Sequence, residues 1–322
     1  MNLVSIQRLL PARMKFFLKP YYRRVFSSRL HVLFWPTFRC NYQCSYCTVF
    51  TKFNFTKVFE PKSEKKVEQW LEGLEKLPPA MIYVAGGEPF LYAGLPELVN
   101  NLPKKHQLLG IVSNVSLPAS VYRKIKRPFH LNASFHREFV SAEDFIARVK
   151  ELQEFSHVHV NIVATPENLP LISSIDELMA KHRISLHVDP YVDHQFRYSA
   201  EEQALLRKHT QADRKSLVQF DDFSRKQCSA GRNYINLLPN GDVFACAAGF
   251  NYVHSPLYSE IVKGRNLEHF RMRNLFDPEF KLNSSDVMCE LPCKDACDRD
   301  SVIIKVIEPA PNTLVSGATA GR

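Results

Sequence analysis

The sequence predicts an α/β fold, a parallel sheet with helices on its outside, followed by a smaller β-hairpin and helix region. Two observations carry this. Short apolar runs alternate with helical patterns six times between residue 31 and about residue 192. Beyond residue 225 the pattern changes to a hairpin signal, with Asn240-Gly241 between two apolar runs. A third observation concerns chemistry: eight cysteines stand in two groups at short spacings.

The elements follow in order. Residues 1–29 are basic and amphipathic, and the first acidic residue of the chain is Glu60. The whole chain carries a net charge of +9. Such a segment can dock on an anionic surface, or pack on the body of the protein with its charges in water. Strands are expected at 31–35, 81–84, 108–112, 130–133, 157–163 and 185–189, with helices at 63–77, 94–102, 118–126, 142–155 and 169–182. Ser141 and Ser199 open capping patterns, the second with Glu202, so a further helix is expected at 199–208. The hairpin strands fall at 234–238 and 242–245. Residues 309–322 are rich in Pro, Gly, Ala, Ser and Thr and are expected to be a disordered tail.

Composition excludes several classes. No run of about eighteen apolar residues exists, so no membrane-spanning helix is expected, and the N-terminus lacks a secretory pattern. Neither a GxGxxG nor a Walker lysine loop is present, and no specific nucleic-acid partner is expected. Eight cysteines without a signal peptide suggest metal in a reducing, cytoplasmic compartment rather than disulfides.

The first cysteine group is Cys40, Cys44 and Cys47, a CxxxCxxC loop with Tyr46 before its last member. Three thiolates leave one iron of a [4Fe–4S] cube open, whereas a structural zinc site wants four protein ligands. Strand two runs into Gly86-Gly87-Glu88-Pro89, strand three into Ser113-Asn114, and strand four into Ser134-Phe135-His136. In a β/α barrel, chemistry sits at these C-terminal strand ends.

At these residues the chain resembles the radical S-adenosylmethionine (radical SAM) superfamily. The resemblance implies an incomplete, TIM-like (β/α)6 barrel over residues 30–198. It implies a [4Fe–4S] cluster on Cys40, Cys44 and Cys47, and S-adenosylmethionine (SAM) contacts from Tyr46, Gly86, Gly87, Glu88, Pro89, Ser113, Asn114 and Ser134. Glu88 and the glycine carbonyls can accept hydrogen bonds from the SAM ammonium. Val115 stands where the family usually has a glycine.

The second group, Cys228, Cys246, Cys289, Cys293 and Cys297, resembles the auxiliary-cluster extension called SPASM or Twitch, here over residues 199–308. Five remaining cysteines suit one further [4Fe–4S] cluster better than two, which favours the Twitch form; a zinc ribbon is the alternative. Which of Cys289, Cys293 and Cys297 ligate stays open.

The implied activity is reductive cleavage of SAM and hydrogen abstraction from substrate, with a flavodoxin- or ferredoxin-type electron donor. Asp189, His194, Arg197 and His136 are candidates for moving a proton. Only 39 residues precede Cys40, which weighs toward a small polyol or sugar, oxidised or epimerised, over a peptide. A peptide-modifying maturase and a non-catalytic Fe–S or zinc scaffold are the alternatives.

Overall fold

Alternation of apolar and polar residues turns the central segments into strands with two unlike faces. The computed structural model describes residues 29–47, 63–191, 196–209, 223–255, 258–292 and 304–308. In β4 (His130–Ser134), Leu131 and Ala133 are buried, while His130, Asn132 and Ser134 on the other face are half-buried. The same alternation runs through β5 (His157–Ala164) and β6 (Leu186–Pro190). Every second residue of a strand points to the same side.

The remaining strands are β1 (Leu30–Phe34), β2 (Ala80–Val84), β3 (Gln107–Ser113), β7 (Arg225–Cys228), β8 (Tyr234–Leu237), β9 (Val243–Phe244), β10 (Val287–Cys289) and β11 (Ile304–Glu308). The helices are α1 (Val67–Lys76), α2 (Leu95–Asn100), α3 (Ala119–Tyr122), α4 (Ala142–Gln153), α5 (Ile172–Lys181), α6 (Ala200–His209), α7 (Ala247–His254) and α8 (Ser259–Val262).

An eight-stranded sheet has the order β6-β5-β4-β3-β2-β1-β8-β9. It is parallel from β6 through β8 and antiparallel only between β8 and β9. This is an α/β fold of the partial-barrel kind, with the six expected strands in sequence order. Their buried faces pack on the helices: Trp70 and Leu74 of α1, Leu95 and Leu98 of α2, and Phe145, Ile146 and Val149 of α4 share one core with Val32, Ile82, Ile111, Leu131 and Val160. No helix among the described residues is long and apolar enough to cross a membrane.

Helix ends follow the expected caps. Ser141 Oγ accepts from Asp144 N at 3.1 Å at the start of α4. Before α6, Ser199 and Glu202 bond reciprocally, backbone to side chain, at 2.7 and 3.2 Å. All five expected barrel helices are shorter than their expected ranges; 118–126 contracts to α3, and 169–182 opens with a 3-10 turn, Leu169–Leu171, before α5. Pro170 inside that turn supplies no backbone N–H to an α-helical ladder.

The hairpin differs from its expected place. It is not set apart from the barrel: β8 pairs in parallel with β1, from His31↔Tyr234 to Phe34↔Leu237. The reason lies in both strands. Leu33 and Trp35 are buried as well as Val32 and Phe34, and all four residues of β8 are buried. Strands covered on both faces belong in the middle of a parallel sheet. The turn itself is as expected, with Gly241 at φ 90° and Leu238 N donating to Asp242 O at 2.9 Å. A left-handed φ of this kind suits glycine.

The far faces of β1 and β8 build a second core, with Leu33, Trp35, Phe38, Tyr234, Leu238, Phe244 and Phe250. Cys246 is part of this core, and Cys47, Cys228 and Cys289 pack at its edge. A separate antiparallel sheet, β10-β7-β11, carries Cys228 and Cys289. Residues 1–28, 309–322, His194, Cys293 and Cys297 lie outside the described residues.

Candidate active site

The first cysteine loop leaves the C-terminal end of β1 and is held from three sides. Beneath it, Arg39 grips Glu64 through Nε at 3.1 Å and Nη2 at 2.9 Å, and Thr37 Oγ1 donates to the same carboxylate. Two-pronged arginine–carboxylate contacts fix orientation as well as distance. From the β2 side, Gly87 N donates to Thr37 O at 3.2 Å and Glu88 N to Arg39 O at 2.7 Å. A methyl group on Gly87 would lie 2.2 Å from Arg39 O, and one on Gly86 2.4 Å from Thr37 O. The glycines therefore let two backbones touch, the second being that of the cysteine loop itself.

Glu88 is held by donors from two neighbouring loops. Its side chain is fully buried and accepts from Phe90 N at 3.1 Å, Ser113 Oγ at 3.0 Å and Asn114 N at 2.7 Å. Burial pushes its carboxyl up to about 7 against the pull of those three donors. The carboxyl thus ties the β2 loop to the β3 loop. Val115, after Asn114, is fully buried with φ 47°. The backbone there takes the left-handed turn a glycine would take, with a β-branched residue under strain.

That turn aims Asn114 at the cysteines. Its Nδ2 donates to Asn41 Oδ1 at 2.9 Å and stands 3.9 Å from Cys40 Sγ. From the β4 side, His136 Nδ1 lies 3.1 Å from Cys44 Sγ and 2.7 Å from the Tyr46 hydroxyl. Glu138 accepts from Ser45 N at 3.1 Å and Ser45 Oγ at 2.7 Å. Loops after β1, β2, β3 and β4 thus meet at one end of the sheet, where a β/α barrel carries its chemistry.

The electrostatics suit a cationic guest. Burial pushes the Cys40 thiol up to about 11 and the Cys44 thiol up to about 12. Repulsion from Cys47 adds to both, which puts the three sulfurs within mutual electrostatic reach. Thiolates held this way call for positive charge among them. Among the described residues no three His, Cys, Asp or Glu side chains converge closely enough for a single metal ion. Burial pulls His136 down to about 4, so it is a neutral imidazole packed on Cys44 and Tyr46.

The inner face of β4–β6 carries a row the sequence reading only partly named. Ser134 Oγ donates to Asn161 Oδ1 at 3.1 Å, Asn161 Nδ2 donates to Asp189 Oδ2 at 2.9 Å, and His187 Nε2 stands 3.3 Å from Asp189 Oδ1. Asn161 and His187 were legible only as polar positions in alternating strands. Arg197 donates from Nη1 to Phe196 O at 2.9 Å.

The second cysteine group is spread over three elements. Cys228 ends β7, Cys289 ends β10, and Cys246 precedes α7, where its sulfur accepts from Gly249 N at 3.1 Å. Register pairs Val287 with Cys228 and Cys289 with Lys226, so Cys228 and Cys289 are diagonal neighbours on one face. Burial pushes the Cys289 thiol up.

Residues 36–185 match the family model described as the Radical SAM superfamily. The solved structures agree in fold. The chain is similar to SuiB of Streptococcus suis bound to S-adenosylmethionine, at 17% identity and a TM-score of 0.54, over 74% of this chain and 68% of that one. It is similar to SuiB bound to the precursor peptide SuiA, at 16% identity and a TM-score of 0.52, over 77% and 70% of the two chains. It is also similar to anSMEcpe with bound AdoMet, at 14% identity and a TM-score of 0.50, over 77% and 78%. No curated protein matches the chain.

Proposed function

We propose that the chain is a radical SAM enzyme acting on a small polyol or sugar, by net oxidation or epimerisation. The observation that carries the enzyme reading is the meeting of the CxxxCxxC loop with Asn114 and His136 at the ends of β3 and β4. When bound on Cys40, Cys44 and Cys47, a [4Fe–4S] cluster supplies the electron that splits SAM into methionine and a 5′-deoxyadenosyl radical. The chain's own residues do the rest. Glu88, Gly86 and Gly87 hold the loop in place, with Pro89 opening the 3-10 turn Pro89–Leu91 behind it. Tyr46 and His136 set Cys44, and Asn114 directs an amide toward the cysteines.

The uncharged and hydrogen-bonding groups of Ser134 and Asn161 suit the hydroxyls of SAM ribose or of a neutral substrate. Asp189, braced by Asn161, takes a hydroxyl proton if the net reaction is an oxidation. Cys228, Cys246 and Cys289, with Cys293 or Cys297, would hold one auxiliary [4Fe–4S] cluster. Their three strand and helix positions border one core with Cys47. The partners this reading expects are a flavodoxin- or ferredoxin-type electron donor and an anionic surface for residues 1–30.

The second reading is a peptide maturase: SuiB, whose fold the chain shares, is described bound to a precursor peptide. The third is a non-catalytic Fe–S or zinc scaffold, which predicts no SAM cleavage. The test is anaerobic turnover with a chemical reductant, scoring 5′-deoxyadenosine, with deuterated sugars, deuterated polyols and short peptides as probes. Deuterium in 5′-deoxyadenosine from a sugar or polyol supports the first reading, and from a peptide the second. No 5′-deoxyadenosine under any condition overturns both.

A further inference from the structure

One carboxylate at the first cysteine loop is not matched by a cation. Glu138, on the loop after β4, accepts from Ser45 N at 3.1 Å and from Ser45 Oγ at 2.7 Å. Ser45 is the residue that follows Cys44. Glu138 forms no ion pair among the described residues. Its neighbour Arg137 donates from Nε to Asn168 Oδ1 at 3.3 Å. Two other carboxylates near the loop are answered: Glu64 by the Arg39 guanidinium, and Glu88 by the donors around it.

Glu138 is exposed, yet its place is fixed. His136 before it packs on Cys44 and Tyr46. Phe139 after it stacks on Tyr42, with ring centroids 4.4 Å apart and planes 10° from parallel. Exposed charges usually count for little, because their side chains move freely and water screens them. Here two hydrogen bonds to one residue restrict that freedom. Burial, then Cys47, then Glu138 push the Cys44 thiol up, which puts the carboxylate within electrostatic reach of that sulfur.

A negative charge fixed beside a thiolate-held cluster opposes the arrival of one more electron. The Ser45 N–H is engaged by the carboxylate rather than by a sulfur, which acts in the same direction. Resting on the radical SAM reading above, we propose that Glu138 sets the reduction potential of the group held by Cys40, Cys44 and Cys47: its carboxylate, tethered on Ser45, keeps that potential low. A single electron is concerned. A flavodoxin- or ferredoxin-type donor is oxidised by one electron, and the same electron breaks a carbon–sulfur bond of SAM, giving methionine and the 5′-deoxyadenosyl radical. A lower potential makes that electron a stronger reductant toward SAM.

The test is an EPR-monitored redox titration of the reconstituted full chain, wild type against Glu138→Gln and Ser45→Ala. Glu138→Gln keeps an oxygen for Ser45 N and removes the charge, so the SAM-responsive signal should move to less negative potential. Ser45→Ala removes one hydrogen bond and keeps the charge, so its shift should be smaller. A potential unchanged in Glu138→Gln at full iron content would overturn the proposal, and so would a shift in Ser45→Ala as large as that in Glu138→Gln. If Glu138→Gln does not hold its iron, the double variant Glu138→Ala/Ser45→Ala decides, since it removes both side-chain partners together. The same upward shift is expected there, and no shift overturns the proposal. If wild type shows no SAM-responsive signal, the enzyme reading fails and this proposal falls with it. A signal present in wild type and unmoved in the variants leaves the enzyme reading standing, so the two failures are distinguishable.

Discussion

The two cysteine groups are placed by the chain in opposite ways. Cys40, Cys44 and Cys47 lie on one loop, braced by neighbours from β2, β3 and β4. Cys228, Cys246 and Cys289 come from two strands and a helix start: the pairing of β7 with β10 sets Cys228 diagonally beside Cys289, and all three border a shared apolar core. In the first group the spacing is written into eight consecutive residues, and the fold only has to hold the loop. In the second, any spacing has to come from the fold. Damage should therefore act locally on the first group and through folding on the second.

The sharpest contrast is between Cys44→Ala and Cys246→Ala. Cys44→Ala should reduce 5′-deoxyadenosine formation to below about 1% of wild type, because an open-iron cluster needs all three thiolates. Cys246→Ala should lose iron yet keep reductive SAM cleavage, with product formation impaired. Cleavage surviving in Cys44→Ala would break the comparison.

The bracing of the first loop comes next. Gly87→Ala puts a methyl 2.2 Å from Arg39 O, which cannot move without dragging the cysteine loop. It should cost about 3 kcal/mol or more in denaturant unfolding, in the range of severe overpacking. Gly264→Ala is the control. Nothing lies within 4 Å of that site, and only its φ of +70° opposes the change, so about 1 kcal/mol is expected.

How much of this was legible in the sequence follows the same division. All six barrel strands, the caps at Ser141 and Ser199, and the first cysteine loop rest on local signals: alternation, capping pairs and a short spacing. What the sequence hid depends on distant partners. Glu88 looks like a free ligand-binding carboxylate until Ser113 and Asn114, brought up by β3, are seen to occupy it. The hairpin strand β8 looks like part of a separate unit until the doubly buried face of β1 supplies its partner. Asn161 gains its place in the site from Asp189, on another strand.

Glu88 gives a pH test. Its carboxyl is raised to about 7 in the folded protein from 4.5, so the folded state binds the proton more tightly than the unfolded one. Its contribution to stability is fully present below pH 4.5 and is lost as pH rises through about 7. The loss amounts to about 3 kcal/mol. Glu88→Gln should flatten that part of the stability profile, measured by denaturant unfolding from pH 5 to 8. A profile as steep as wild type would place the titration elsewhere.

The smallest effect is expected far from both groups. Ser141→Ala removes the cap of α4 and should cost about 1 kcal/mol, with SAM cleavage unchanged. Altered cleavage in this variant would mean that α4 is coupled to the site.

The central claim is that one loop cleaves SAM while a second cysteine group holds a separate cluster. Its most direct test is iron and sulfide per chain after anaerobic reconstitution, in wild type and in the Cys40/Cys44/Cys47→Ala triple variant. The account predicts about eight irons falling to about four, with an EPR change on adding SAM seen in wild type alone. About four irons in wild type and none in the triple variant would contradict the second cluster. Iron content and SAM response unchanged in the triple variant would contradict the first.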